Sequence, residues 1–367
     1  MNPIHVIGYV GQHSTLSPAL SDAVARADLV VGGRRHLDSL DVPDERRVVL
    51  GPLDPAIEAM SHRGDRRVLV VASGDPGFFG IVRRLADEGL PLVVTPAPSS
   101  IALAFGRLGM AWEDAQIVSA HGRDLRPALN VVRAHPTVAV LTTVGAGVRE
   151  IAAGLGAWPR TLFLLERLGE EGERVRRLTC QEALALDDVR EPNVVIAVED
   201  SVEAPRGQGR TLTWRLGDTG RTRPTVDPAG ALVAGMLGLR PGELCALYGD
   251  GLAGVAAAVS DRGAALRRLP DAEPTTDLPA LDEPDVLCLA ATAADLPEVF
   301  VAVADLLRGA RAVAVLTDED GLEVSARALA GFGAVRLTVP RVQDHPGEDT
   351  AGERGAHLLL ATRPGSP

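Results

Sequence analysis

The chain has 367 residues, a formal net charge of −12 and 46% hydrophobic residues, which suits about two domains with full cores. All 37 basic residues are arginine, so a lysine nucleophile, a lysine Schiff base and a phosphate-cradling lysine are excluded. The acidic balance disfavours nucleic acid and anionic membrane as partners.

Cysteine usage and hydropathy bear on the compartment. Cys180, Cys245 and Cys288 are widely spaced and form neither a CxxC pair nor a zinc-ligand pattern, so we expect reduced core thiols and no metal site. The first residues lead directly into an apolar strand, without the basic segment of a signal peptide. No stretch reaches the roughly 18 apolar residues of a membrane span. These features predict a cytoplasmic protein.

Turn-forming residues are concentrated after one strand of the N-terminal region. Val68–Ala72 is an unalternated, mostly β-branched run, which is typical of a parallel strand covered on both faces. Residues 73–80 then place three glycines, a proline and Asp75 in eight positions. Because ligands bind at the carboxyl ends of strands in an open α/β sheet, we predict a ligand-contacting bend here. An ordinary strand-to-helix turn is the alternative.

A second polar loop follows the next strand. Leu92–Thr95 is predicted as another buried strand, and residues 96–98 read Pro-Ala-Pro, a rigid turn. Ser99 and Ser100 then precede a helix predicted over 101–108. Free N–H groups at a helix N-terminus bind polar or anionic ligand groups, although Ser99 alone is also a simple helix cap.

Strands alternate with helices along the rest of the chain, which predicts largely parallel sheets covered by helices. Further strands are predicted at 4–8, 27–33, 117–123, 138–141, 161–169, 193–198, 244–248, 286–289, 312–316, 334–339 and 356–361. Residues 204–223 are rich in Gly, Pro, Arg and Thr and are predicted as a linker. The linker separates an N-terminal domain at 1–203, with halves at about 1–111 and 112–203, from a C-terminal domain at 224–367.

Six short motifs, each at the end of a strand, occur in the order of a known family. They are Val6-Ile7-Gly8 and residues 27–37, 72–80, 96–100, 119–123 and 166–169. With this set the first two hundred residues resemble the tetrapyrrole (corrin and porphyrin) methylases, and within them the precorrin-6Y C5,15-methyltransferase group. The resemblance implies an α/β fold of two α/β halves with S-adenosylmethionine in the cleft between them, often in a homo-oligomer.

The resemblance also implies which residues line the methyl-donor site. They are Gly8, Ser73, Gly74, Asp75, Phe78, Ser99, Ser100, Thr142 and Leu168. Asp75 is expected to pair with the cationic end of the donor or to hold the loop, and Phe78 is expected to cover the adenine. The donor would leave as S-adenosylhomocysteine. The family's first loop usually reads Gly-x-Gly-Pro-Gly, whereas residues 8–12 lack one glycine and the proline, so Tyr9 is expected to narrow the cleft.

A corrin precursor carries many carboxylates, which arginine forks bind well. Arg34, Arg35, Arg123 and Arg126 lie at or just after predicted strand ends, and we predict them as substrate contacts. For each of them an ordinary surface arginine is the alternative. His121 is a further candidate substrate contact and a candidate acid or base near neutral pH, with a hydrogen-bonded structural histidine as its alternative.

The C-terminal domain resembles a shortened Rossmann-like methyltransferase domain of the kind fused to this group. Residues 249–254 are rich in glycine and follow a predicted strand. The fold normally places an acidic residue at the end of its second strand to hold the ribose, but 264–270 offers none and the next predicted strand begins at Val286. We therefore expect weak or absent donor binding here. The resemblance gives the fused domain a C15-methylating, decarboxylating activity, which we expect this chain to have lost.

The implied function is S-adenosylmethionine-dependent C-methylation of a corrin precursor in cobalamin biosynthesis, with the enzyme holding donor and acceptor in line. Two alternatives stay open: a methyltransferase of the same fold for a different acceptor in a specialised pathway, and a non-catalytic protein that binds a tetrapyrrole or a partner. The expected partners are a small tetrapyrrole and further copies of the chain.

Overall fold

The computed structural model describes residues 2–11, 18–51, 53–156, 158–200, 228–250, 252–269, 283–339 and 356–364. The predicted linker at 204–223 lies outside these residues, so the domain boundaries around it stay predictions. The chain divides into two compact units. The first comprises Met1–Trp112, Ala139–Val148 and Thr161–Ile196, and the second comprises Glu113–Val138, Arg149–Arg160 and Ala197–Pro367.

The first unit contains a five-stranded parallel sheet. Its strands are β1 (Ile4–Tyr9), β2 (Leu29–Gly32), β3 (Arg47–Val49), β4 (Val68–Ser73) and β5 (Leu92–Thr95), and its helices are α1 (Pro18–Arg26), α2 (Arg34–Ser39), α3 (Leu53–Ser61), α4 (Ile81–Asp87) and α5 (Ser100–Leu108). The strand order is β3-β2-β4-β1-β5. Val68 and Val70 pack in one core cluster while Leu69 and Val71 pack in another. The prediction that β4 is covered on both faces is therefore confirmed.

β5 lies at the edge of this sheet, and the prediction that it is buried is wrong. Val93 is 43% exposed and Val94 is 39% exposed. β-Branched residues suit a pleated backbone at an edge as well as in the centre of a sheet. The apolar run therefore indicated the strand correctly, but it did not report its burial.

A second five-stranded sheet follows in the chain. Its strands are β6 (Gln116–Ser119), β7 (Thr137–Leu141), β8 (Arg160–Glu166), β9 (Arg174–Thr179) and β10 (Asn193–Glu199), and its helices are α6 (Leu125–Ala134), α7 (Val148–Leu155) and α8 (Cys180–Leu184). The strand order is β6-β7-β10-β8-β9. β9 runs antiparallel to β8. Backbone hydrogen bonds from Arg167 to Pro192 and from Glu199 to Pro136 join the end of one strand to the start of its neighbour, so β10 is antiparallel to β8 and β7 as well. The prediction of largely parallel sheets is therefore wrong for this sheet, because the alternation of strands and helices along the chain does not determine strand direction.

The second unit contains a six-stranded sheet. Its strands are β11 (Leu244–Tyr248), β12 (Ala265–Arg268), β13 (Val286–Ala290), β14 (Ala312–Thr317), β15 (Gly333–Val339) and β16 (Ala356–Thr362), and its helices are α9 (Pro228–Met236), α10 (Ala253–Asp261), α11 (Leu296–Ala302), α12 (Ala304–Gly309) and α13 (Glu319–Ala328). The order is β12-β11-β13-β14-β16-β15, and β16 is antiparallel to both of its neighbours. β12 and β13 lie on opposite sides of β11, which is the strand-order reversal of a doubly wound fold.

β12 corrects the expectation that no strand lies between β11 and Val286. Ala265–Arg268 pairs in parallel with β11, and Ala265 is fully buried. The sequence concealed this strand because half of its four residues are arginine. The strand still ends at Arg268, so the second strand of this sheet carries no acidic residue at its carboxyl end. Within the described ranges, no helix is both long and apolar enough to cross a membrane.

Candidate functional site

The carboxyl ends of β1, β4 and β5 meet at one edge of the first sheet, because β1 pairs in parallel with both other strands. A Cβ added to Gly8 would lie 2.1 Å from the Gly74 carbonyl oxygen and 2.6 Å from the Ala97 nitrogen. A Cβ added to Gly74 would lie 3.3 Å from the Ser99 Cα. The fold therefore brings together six predicted donor contacts from three loops, namely Gly8, Ser73, Gly74, Asp75, Ser99 and Ser100.

Residues 73–80 form a tight bend that solvent can reach. Gly74 has a φ of +61°, which a residue with a side chain adopts only with strain. Asp75 Oδ1 accepts a hydrogen bond from the Gly77 backbone N–H at 2.8 Å. Asp75 therefore uses one carboxylate oxygen to hold the turn, and its second oxygen can meet a ligand.

Two aromatic residues end this bend. Phe79 has a φ of +52°, a conformation that costs a non-glycine residue about 1 kcal/mol or more, and its side chain is 53% exposed. Phe78, the predicted adenine contact, is half-buried, and its ring meets that of Phe79 edge-on at a centroid distance of 4.9 Å. No pattern in the sequence indicates a positive φ at a phenylalanine, so sequence reasoning missed Phe79.

The two serines after β5 differ in what their side chains do. Ser99 Oγ accepts a hydrogen bond from the Ala102 N–H at 3.1 Å, as the N-cap of α5, so its predicted capping role is confirmed. Ser100 is the first residue of α5 and is half-buried. The helix therefore begins beside the bend, with its first N–H groups at the same edge of the sheet.

A cavity of about 180 Å³ lies in the first unit. Its lining residues are Tyr9, Gly11, Arg35, His36, Ser39, Arg167, Glu170 and Glu171. Arg35 connects the cavity to the bend, because its Nη2 donates to Ser73 Oγ at 3.0 Å and its Nη1 donates to Glu170 Oε1 at 2.7 Å. This predicted substrate contact therefore faces the cavity with its guanidinium already held on two sides.

His36 forms the buried wall of the cavity. It is 8% exposed, its ring packs edge-on against Tyr9 at 5.6 Å, and its Nε2 lies 3.2 Å from Ser73 Oγ. Burial, and then the charge of Arg35, lower its pKa to about 4, although Glu170 opposes the shift. The ring is therefore neutral at pH 7. His36 belongs to the motif at 27–37, but sequence reasoning assigned only the two arginines before it.

Replacing His36 with glutamine is expected to make the protein less sensitive to acid. The unfolded histidine takes up a proton near pH 6.5 and the folded one only near pH 4, so acid favours the unfolded state between these values. Over this pH range the wild type should lose up to about 3 kcal/mol more of its unfolding free energy than His36→Gln does, as measured by urea unfolding. If the unfolding free energies of the two proteins changed with pH in the same way, His36 would not have the lowered pKa of a buried histidine.

Thr142 and Leu168 occupy other loops of the first unit. The Thr142 hydroxyl is buried and donates to the Asn193 carbonyl oxygen at 2.7 Å, so it holds neighbouring strand ends together. Leu168 is half-buried and follows the cavity-lining Arg167. The structure therefore places Leu168 beside the cavity, whereas Thr142 acts within its own sheet.

The remaining predicted substrate contacts lie at the surface or in an ion pair. Arg34 is exposed at the start of α2, and His121 and Arg123 are exposed in the turn after β6. Arg126 donates from Nη1 to Asp285 Oδ1 at 2.9 Å, so its guanidinium serves a contact inside the second unit. Among the described residues, no group of His, Cys, Asp and Glu side chains is arranged to hold a metal ion.

The first sheet is parallel with glycine turns at its carboxyl edge, and the C-terminal sheet has the strand order of a doubly wound fold, so the chain is a protein of the α/β class. The family model of the Tetrapyrrole (Corrin/Porphyrin) Methylases matches residues 7–184. A precorrin-6Y C(5,15)-methyltransferase (decarboxylating) from Sinorhizobium sp is 32% identical over 366 residues, which cover 87% of this chain and 86% of that protein. The chain belongs to the tetrapyrrole methylases, which confirms the resemblance and the α/β fold class.

Two shorter proteins match about half of the chain. The cobalt-precorrin-7 C(5)-methyltransferase of Salmonella typhimurium is 31% identical over 200 residues, covering 53% of this chain and 96% of that protein. The crystal structure of a precorrin-6Y methylase from Archaeoglobus fulgidus is 25% identical, covers 54% of this chain and 97% of that one, and has a TM-score of 0.43. The Sinorhizobium and Salmonella relatives are named as methyltransferases, which confirms the predicted enzyme class.

Proposed function

We propose that this chain is an S-adenosylmethionine-dependent C-methyltransferase that acts on a corrin precursor of the precorrin-6Y type in cobalamin biosynthesis. The observation that carries the proposal is the convergence of three loops at the carboxyl edge of the first sheet, in a chain of this family. A Cβ added to Gly8 would lie 2.1 Å from the Gly74 carbonyl oxygen, and Gly74 has a positive φ, so the loops pack this closely only because both residues are glycine.

The residues at this edge fit the chemistry of the donor. S-Adenosylmethionine has a cationic sulfonium and ammonium, a carboxylate, a ribose and an adenine. Asp75 offers a carboxylate oxygen to the cationic end, the N-terminus of α5 suits the carboxylate or ribose oxygens, and Phe78 offers an apolar face to the adenine. When bound, the donor supplies an electrophilic methyl group.

One residue of the cavity and one of the bend are proposed to position the acceptor. Arg35, held by Ser73 and Glu170, presents a guanidinium to a carboxylate of the corrin precursor. Phe79 offers an exposed ring for the apolar macrocycle. The acceptor carbon would take the methyl group directly as the sulfur–methyl bond breaks and S-adenosylhomocysteine leaves, so no side chain has to act as a nucleophile. Alignment of the two reactants can then contribute about 7–11 kcal/mol to lowering the barrier.

The C-terminal sheet differs from the first one in what it offers a donor. β12 ends at Arg268, where a doubly wound fold uses an acidic residue to hold the ribose. A Cβ added to Gly249 would lie 2.0 Å from the Ala290 carbonyl oxygen, so the ends of β11 and β13 meet where the ligand crevice of such a sheet opens. The proposal therefore assigns one methyl transfer to the chain, at the first sheet.

Asp75→Asn is expected to weaken donor binding about ten- to a hundredfold, because a hydrogen bond to a charged group contributes about 1.5–3 kcal/mol. The asparagine keeps an oxygen for the Gly77 N–H and removes only the charge. Calorimetric titration with S-adenosylmethionine and S-adenosylhomocysteine measures the affinity. At a limiting donor concentration, mass spectrometry of the corrin product should show one added methyl group with the wild type and a yield about ten- to a hundredfold lower with the variant.

Asp87→Asn is the matched control, because Asp87 is an exposed aspartate at the end of α4. This variant should bind and transfer like the wild type. Two added methyl groups with loss of carbon dioxide would overturn the assignment of a single transfer. Failure of the wild type to bind either nucleotide would overturn the proposed function as a whole.

A further inference from the structure

Helix α6 and the residues around it meet the start of the C-terminal sheet inside the second unit. The contacts on the helix side come from Arg126, Pro127, Asn130 and His135, which we call the α6 surface. We propose that the α6 surface is a docking site that holds residues 228–364 onto the part of the chain before residue 200 without help from the segment that joins them. This inference is independent of the proposed function.

The first contact is a charged pair with a fixed orientation. Arg126 donates from Nη1 to Asp285 Oδ1 at 2.9 Å and from Nη2 to the Glu283 carbonyl oxygen. The other Asp285 oxygen accepts a hydrogen bond from the Leu244 N–H at 2.8 Å. Both groups are about four-fifths buried, so solvent screens the pair only weakly.

The second contact is a buried amide. Asn130 is fully buried, and its Nδ2 donates to the Gly242 carbonyl oxygen at 3.1 Å. Its Oδ1 accepts a hydrogen bond from Arg133 Nη1 at 3.0 Å. A buried amide is costly unless both of its ends are paired, and one of these partners lies on the C-terminal side. Separation of the two parts would therefore cost more free energy than the loss of buried contact area alone, because the amide would lose a hydrogen-bond partner.

Two further contacts extend the surface. A Cβ added to Gly242, which has a φ of +89°, would lie 3.4 Å from the Pro127 carbonyl oxygen, so the turn before β11 rests directly on the start of α6. His135 is 9% exposed and forms a hydrogen bond with the Gly263 backbone. The α6 surface thus meets the turns that precede β11, β12 and β13.

The helix is anchored equally well on its other side. Arg160 is 4% exposed, and it donates from Nε to the Val132 carbonyl oxygen at 3.0 Å and from Nη2 to the Arg133 carbonyl oxygen at 3.0 Å. The Glu199 N–H donates to the Pro136 carbonyl oxygen at 2.8 Å. Arg160 and Glu199, which belong to the same unit, therefore hold α6 and its C-terminal turn. All of these residues lie before residue 200, so the α6 surface belongs to that part of the chain.

The position of the surface has a consequence for ligands. Gly242, Gly263 and Asp285 all lie at the amino ends of parallel strands. Ligands of doubly wound sheets bind at the carboxyl ends. The α6 surface therefore contacts the edge of the C-terminal sheet that is opposite its ligand edge.

The test is to insert a site-specific protease sequence between residues 200 and 228 of the full chain, and to cut it completely as judged on a denaturing gel. Gel filtration of the cut wild type, over a dilution series, should give one peak that contains both fragments at the mass of the intact chain. Two separate peaks at every concentration would overturn the proposal.

Arg126→Ala combined with Asn130→Asp tests the named contacts. The aspartate keeps an acceptor for Arg133 but opposes the Gly242 carbonyl oxygen. The cut double variant should dissociate at a concentration at least about tenfold higher than the cut wild type, because both changes leave a buried partner unpaired. Arg149→Ala, at an exposed arginine of the same unit, should match the wild type. Circular dichroism of each uncut variant confirms folding, and a folded double variant that stays associated would contradict the role of these residues.

Discussion

Replacing Glu166 with glutamine is expected to destabilise the protein by about 2–4 kcal/mol, because it removes the shared partner of a buried ion network. Glu166 is fully buried at the end of β8. Its carboxylate accepts hydrogen bonds from Arg174 Nε at 2.6 Å, from Arg176 Nη2 at 3.0 Å and from the Arg190 N–H at 2.7 Å. Glutamine has the same size, so the loss reports the charge and not a cavity.

The effect should depend on pH. Burial alone raises the pKa of Glu166, but hydrogen bonds from Arg174 and the Arg190 N–H, with the charge of Arg176, together hold it below its ordinary value. A lowered pKa means that the ionised network stabilises the fold above the unfolded value near 4.5 and loses this contribution as the pH falls through the folded value. The difference in unfolding free energy between wild type and Glu166→Gln should therefore be largest at neutral pH.

Urea unfolding at neutral and acidic pH measures this difference in unfolding free energy. Glu58→Gln is the matched control, because Glu58 is exposed on α3, and it should stay within about 0.5 kcal/mol of the wild type. The Glu166 network also precedes the loop that carries Arg167 and Glu170, so we expect weaker acceptor binding as well. Equal unfolding free energies for wild type and Glu166→Gln would show that the network contributes nothing net.

The sequence was enough to predict four of the five strands of the first sheet, all except β3, and the bend that follows β4. Val68–Ala72 has no alternation, and burial on both faces produces that pattern. Glycine, proline and aspartate cluster directly after it, so the bend was predictable as well. The order of short motifs then identified the family, since each motif lies at a strand end where backbone geometry limits the choice of residues.

Residues whose role depends on distant partners could not be predicted in the same way. Arg174 and Arg176 share one face of β9 by their spacing, but only the antiparallel pairing of Glu166 with Arg174 reveals their common carboxylate. The burial of His36 comes from Tyr9 and Ser73, which lie 27 residues before it and 37 residues after it. A pattern along the chain carries no record of such contacts.

Gly8→Ala is expected to lower the methyl-transfer rate about a hundredfold, because a misplacement of about 1 Å near a reacting centre can cost that much. The new Cβ would lie 2.1 Å from the Gly74 oxygen and 2.6 Å from the Ala97 nitrogen, whereas real Cβ contacts are 3.0 Å or longer. Both obstacles are backbone atoms, so no side chain can rotate away. The loops after β4 and β5 must move, at a cost of about 1–3 kcal/mol in stability.

Gly106→Ala is the control that separates this effect from a general intolerance of alanine. Gly106 lies in α5, and an added Cβ would have no heavy atom within 4 Å apart from the neighbouring residues and the helix's own backbone. Alanine there should raise stability by about 0.5–1 kcal/mol. Single-turnover transfer and calorimetric donor titration should leave this variant like the wild type. If Gly8→Ala also keeps full donor affinity and rate, the edge formed by β1, β4 and β5 is not where the methyl group is transferred, and the cavity beside Arg35 would have to serve another ligand.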